Sequence, residues 1–132
     1  MSFLDALPVT VLYGTLNALL VVALALNISL HRVKGRVFLT DQAPPELHRK
    51  IRAHGNSVEY FAVTTFLLAF LELQHAPSFW LHICGGIVLV ARIVHSLAML
   101  TKSGLNVRRV SASSTYAIAI VMGFWSLYLR LR

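Results

Sequence analysis

Arg52, Asn56 and Glu59 stand at i, i+4 and i+7, so on a helix a cation, an amide and a carboxylate share one face. Arg92 and His95, at i and i+3, make a second such pair. Arg108 and Arg109 follow, with Ser113, Thr115 and Tyr116 a turn or two further along. The cations outnumber Glu59, so a cavity that gathered these groups would hold spare positive charge and favour an anionic ligand. The competing reading takes Arg52, Glu59 and Arg92 as ion pairs that join helices, and His95 as a packing residue.

The elements that must position these groups are membrane spans. Hydrophobic residues make up 57% of the 132 and charged residues 13%, where a soluble domain carries about a quarter charged. One domain is the expected organisation at this length, with no repeats or low-complexity tracts. Four apolar runs stand out, about Val9–Leu30, Gly55–Leu73, Phe79–Leu100 and Val110–Leu129. Each is close to the ~20 residues that cross a ~30 Å hydrocarbon core. The expected fold is an all-α, integral membrane four-helix bundle. Pro77 is placed to open the third helix after a short turn, and Pro44-Pro45 separates the first helix from the second. The second helix is therefore expected to begin before the membrane, near Glu46, and run on into it.

Charge gives the orientation. Arg32, Lys34, Arg36, Arg49, Lys50 and Arg52 lie between the first two runs, and Lys102, Arg108 and Arg109 between the last two. Short loops rich in Lys and Arg are cytoplasmic, which puts both termini on the other side. The net charge of +7 is thus a topology signal, and no basic face alternates with aromatics as nucleic-acid binding would need. The segment Met1-Ser2-Phe3-Leu4-Asp5 lacks a basic region, so the first run reads as a retained span. Cys84, the single cysteine, excludes an internal disulfide and a cysteine metal cluster, and reads as a small packed hydrophobe. No metal is expected.

Ionisable groups inside a span cost about 2.5–3.5 kcal/mol each even on lenient insertion scales. Glu59 lies ~10 Å beyond Arg52 along its helix, and Arg92 ~13 Å below Thr101. All of them therefore fall in the cytoplasmic half, where one water-accessible cavity can serve them. Asn17 and Asn27 read as hydrogen-bond links between helices, and Glu72 and His75 as residues at the far membrane boundary.

The segment Arg52-Ala53-His54-Gly55-Asn56-Ser57-Val58-Glu59-Tyr60 resembles the signature of the MAPEG superfamily, the membrane-associated proteins of eicosanoid and glutathione metabolism. Ala91-Arg92-Ile93-Val94-His95-Ser96 looks like that family's third-helix Arg-x-x-His element, and the four-span layout extends the similarity over the chain. The likeness is to small bacterial members, which implies an inner-membrane location, and more broadly to microsomal glutathione transferases. It implies a homotrimer with glutathione bound between subunits. By position, Arg52, Asn56 and Glu59 would hold the charged ends of glutathione, with Arg92 and His95 beside them and Arg32 near a carboxylate; Tyr116, from the polar set on the fourth helix, joins them as a binding candidate. The thiol-activating arginine falls at Arg108, with Arg109 as the alternative. Two departures stand out: Met99 occupies the position of a tyrosine found in several catalytic members, and Gly55 that of a basic residue in some relatives.

The resemblance implies a glutathione-dependent membrane transferase or peroxidase that acts on lipophilic electrophiles arriving through the bilayer. Its thiol would come from the cofactor, so Cys84 need not be catalytic. The alternative is a non-catalytic scaffold of the same fold that binds membrane lipid or a partner protein, a reading that Met99 favours. A transporter subunit is disfavoured by the lack of Gly/Pro-broken spans.

Overall fold

The computed structural model describes residues 7–37, 43–101 and 104–132. Met1 to Asp5 and Lys102, read above, lie outside the described residues. The regular structure consists of four helices, α1 (Pro8–Gly35), α2 (Pro45–Leu73), α3 (Ser78–Leu100) and α4 (Leu105–Leu131). All four are long and apolar enough to cross a membrane. The chain is a multi-pass membrane protein.

The helices outrun the apolar runs chiefly at the basic end, where α1 continues to Gly35, α2 starts at Pro45 and α4 at Leu105. Hydropathy marks only what lipid covers, whereas a helix continues until a breaker or a cap ends it. In α2 the polar first turns are held by packing, with Leu47 and Ala53 fully buried, and by the Lys50–Glu46 pair at 3.4 Å. Pro8 and Pro45 stand in the first turns of their helices, where a missing N–H costs nothing.

Two helix ends adopt the left-handed conformation without glycine. Arg36 (φ 50°) follows α1, and the Val37 N–H reaches back to the Arg32 carbonyl at 3.0 Å. His75 (φ 58°) follows α2, with the Ala76 N–H on the Leu71 carbonyl at 3.0 Å. These six-to-one hydrogen bonds satisfy carbonyls that a helix end otherwise leaves open. The second one turns the chain sharply enough for α3 to begin at Ser78.

Within the bundle, α2 and α3 pack on each other, and both touch α1 and α4. The apolar core lies toward the end opposite the basic loops: Leu68, Leu71, Leu81, Cys84, Val88 and Met122 are buried there. Cys84 is a packed hydrophobe, as its position in an apolar run suggested. Outward faces carry large apolar side chains such as Leu19, Phe66, Val90 and Phe124, each more than half exposed in the isolated subunit. Hydrocarbon is the medium that suits such a surface.

The same end carries polar fasteners. The buried Glu72 carboxylate accepts the Val9 N–H at 2.8 Å and the Thr10 N–H at 2.7 Å, so α2 supplies the cap that α1 lacks in its own sequence. Gln74 donates to the Ser126 hydroxyl at 2.8 Å, tying α2 to α4. Tyr13 of α1 presses on Gly85 of α3, where a Cβ would overlap its ring. Asn17 does not link helices: its amide donates to the Tyr13 carbonyl one turn back at 2.9 Å.

Candidate functional site

Near the basic end, α2, α3 and α4 bring together much of the expected constellation. Arg92 is the centre. Its side chain projects from α3 into the subunit and is only 2% exposed. One terminal nitrogen donates to the Asn56 side-chain oxygen on α2. The guanidinium lies 5.3 Å from the Tyr60 ring centroid, within reach of a cation–π contact. Tyr60 in turn meets Tyr116 of α4, ring centroids 5.2 Å apart. Arg92 Nε and Nη1 are buried without a hydrogen-bond partner. Unpartnered guanidinium nitrogens at such burial are costly unless an anion or water joins them.

His95 sits one turn beyond Arg92 and is also buried. Its Nδ1 lies 3.2 Å from the Ser111 hydroxyl and 3.3 Å from the Arg108 carbonyl. A carbonyl can only accept, so Nδ1 carries the hydrogen, and Nε2 of the neutral ring is left as an acceptor. The Ser111 hydroxyl donates to the Val107 carbonyl at 2.8 Å, which frees its oxygen for His95. This bond fixes the start of α4 against α3. A buried Ser57–Ser96 hydroxyl contact at 3.1 Å does the same for α2 and α3.

Of the remaining expected residues, Arg108 reaches this centre through its backbone carbonyl and Tyr116 through the Tyr60 ring, while Arg32, Arg52, Glu59 and Arg109 stand apart from it. Arg52 and Glu59 are exposed, and among the described residues neither makes an ion pair. The structural salt-bridge reading therefore finds no Arg52–Glu59 or Glu59–Arg92 bridge within the subunit. Arg32 is half-buried at the end of α1, with its Nε lacking a partner. Beside it, His31 lies 3.0 Å from Lys50 Nζ and 3.5 Å from Glu46, which joins α1 to the first turns of α2. Arg108 is half-buried, its Nε also unpartnered, whereas Arg109 is exposed. Seven residues on, Thr115 is fully buried and Tyr116 is 44% exposed. Arg108 thus shares an inward stripe with Thr115, and Arg109 an outward one with Tyr116.

Four participants escaped the sequence reading. Tyr60 had a signal, since it lies i+4 from Asn56 on the same α2 face. Ser111, three residues after Arg108, had a weaker one. The Ser57–Ser96 pair had none, because serines packed between membrane helices are ordinary.

The chain matches the MAPEG family over residues 10–128. It is 32% identical over 114 residues to a protein named inner membrane protein YecN from Escherichia coli strain K12, covering 86% of each chain. The protein of that name from Escherichia coli O6:H1 strain CFT073 is similar to the same extent.

Proposed function

The chain belongs to the MAPEG family, and from that premise we propose that it is a glutathione-dependent membrane transferase, or a peroxidase, acting on lipophilic electrophiles. The observation that carries this reading is Arg92, a buried cation with two unpartnered nitrogens beside Asn56, Tyr60 and Tyr116. An anionic tripeptide meets that need: a carboxylate accepts from the guanidinium in charge-assisted hydrogen bonds. Arg52 and Glu59, exposed on α2, are placed to take further charged ends of the ligand, and His95 presents Nε2 toward an acceptor's role.

The chemistry needs a thiolate. A free thiol has a pKa of about 8.5, so only a few per cent is ionised at pH 7. A guanidinium within ~4–6 Å lowers an acid's pKa by roughly 1–3 units, and Arg stays charged where Lys would not. Arg108 is assigned this role, with Arg109 as the alternative, at the entrance of α4 where the helix dipole adds positive charge. The thiolate sulfur then attacks the electrophilic carbon and the leaving group departs with the bond's electron pair. The functional unit is a homotrimer in a bacterial inner membrane, with both termini away from the cytoplasm.

Isothermal titration of the solubilised protein with glutathione, followed by a conjugation assay with an aryl halide, tests the proposal. Binding with turnover is the expected result. Absence of both removes the transferase reading. Binding without turnover would favour the scaffold, the reading supported by Met99, which leaves the third-helix position without a hydroxyl donor.

A further inference from the structure

The start of α4 has little of its own to hold it. Gly104 precedes the helix and supplies no side-chain cap, and the first turn contains no acidic residue. Arg108 and Arg109 stand instead near the positive end of the helix dipole, where cations are disfavoured. Packing within the subunit does not compensate. From Leu105 to Val110 every residue is exposed except the half-buried Arg108, and Ser111 is the first buried residue of the helix. A helix end of this kind frays unless a contact from elsewhere in the fold fixes it.

His95 of α3 makes that contact. Its buried ring brings Nδ1 to 3.3 Å from the Arg108 carbonyl and 3.2 Å from the Ser111 hydroxyl. The stretch of α3 around it is itself anchored to α2. Ser96, the next residue, meets Ser57 at 3.1 Å, and Arg92, one turn back, donates to Asn56. The start of α4 is thus carried by a fixed surface, and His95 is the link. The carbonyl that the ring holds and the half-buried guanidinium belong to one residue, and the Arg108 Nε has no partner of its own. Holding the backbone of Arg108 therefore restricts where its side chain can reach.

We propose that His95 is a positioning residue for Arg108: its Nδ1–H holds the first turns of α4 and thereby sets the place of the Arg108 guanidinium. This rests on the assignment of thiol activation to Arg108, and it gives Nδ1 a task that a ligand contact through Nε2 does not perform. Two substitutions tell the ring nitrogens apart. The amide nitrogen of Asn is bonded to Cγ, as Nδ1 is, and that of Gln stands one bond further out, as Nε2 does. Asn can therefore replace the donor to Arg108, whereas Gln replaces only the outer polar atom.

The test compares the full chain in detergent as wild type, His95→Asn and His95→Gln. One readout is amide hydrogen exchange without ligand over residues 109–112, the first amides that α4 bonds internally. The other is the ultraviolet thiolate absorbance per bound glutathione at saturation. His95→Gln should speed exchange there by roughly five- to tenfold, the shift for one lost hydrogen bond, and lose most of the thiolate absorbance. His95→Asn should stay close to wild type in both, even where it binds glutathione more weakly. Ser111→Ala, a smaller change, keeps the test open if the His95 variants fail to fold, and it should shift both readouts in the direction of His95→Gln. Wild-type exchange and thiolate in every folded variant would overturn the proposal, as would equal losses in His95→Asn and His95→Gln or a loss in His95→Asn alone. Faster exchange with full thiolate absorbance would also overturn it, by making the contact structural only. Wild-type protein that forms no thiolate would end the thiol-activation reading and this role with it. The exchange measured without ligand distinguishes that failure from a failure of the contact itself.

Discussion

At the scale of single residues, the site divides into groups already satisfied and groups left open. Asn56 and His95 have partners inside the subunit, while Arg92 keeps two bare nitrogens and Glu59 none of the cations around it. Removing an open group should therefore change ligand affinity more than folding. Glu59→Gln and Arg52→Ala are each expected to weaken glutathione binding by about 1–3 kcal/mol, the range for losing a charge-assisted hydrogen bond, with the oligomer intact. Titration calorimetry reads this directly, and wild-type affinity in Glu59→Gln would remove Glu59 from the site. The arginine pair at the start of α4 calls for a different measurement, the ultraviolet absorbance of bound thiolate. Arg108→Ala should abolish that signal and Arg109→Ala retain it, because Arg108 lies on the half-buried side beside His95. The reverse pattern would transfer the role to Arg109, on the stripe of Tyr116. Full signal in both variants would end this account of thiol activation.

At the scale of helices, one contact matters for α1 beyond its size. Glu72 and the Val9 and Thr10 amides are more than sixty residues apart, yet the carboxylate caps the buried start of α1. Glu72→Ala leaves those donors in apolar surroundings, a cost of about 1–3 kcal/mol. Thermal unfolding in detergent should fall accordingly, and glutathione affinity of the folded protein should not, since the proposed thiol site is placed at the other end. Unchanged stability would mean that water replaces the cap. This contact also shows where sequence reading stops. The spans, the start of α2 at Pro44-Pro45 and the shared face of Arg92 and His95 follow from local spacing and were legible. The cap of one helix by another, the turn of Asn17 back to its own helix and the seat of Tyr13 on Gly85 depend on which helices become neighbours. Hydropathy that is nearly uniform around each helix carries little of that information. Tyr60 lay hidden for a related reason: in an aromatic-rich span, nothing but its spacing from Asn56 separates it from a lipid-facing ring.

At the scale of the whole molecule, the outward face of α2 is the unresolved surface. Arg52 and Glu59 sit there exposed, with no ion pair among the described residues, beside Val63, Phe66 and Phe70. A lipid-facing charge within a span costs about 2.5–3.5 kcal/mol, so a lone subunit would carry that penalty continuously. Covering the face with other copies removes it and encloses the same charges around a ligand. A homotrimer is the expected assembly, and native mass spectrometry across several mild detergents should show three chains. Its stability should rise with glutathione, because a ligand held between subunits is bound only by the assembled form. Orientation decides which compartment supplies that ligand. Nine Lys and Arg flank the two basic loops, and the opposite end has only Arg130 and Arg132 at its terminus. On the positive-inside rule the proposed thiol site is expected to open to the cytoplasm. A reporter active only outside the cytoplasm, fused after Arg132, should therefore give signal. A cytoplasm-active reporter giving signal there would invert the bundle and place the arginine-lined site on the outer side. Monomers alone in every detergent, with or without glutathione, would leave Glu59 facing lipid and deprive the thiol site of its second wall.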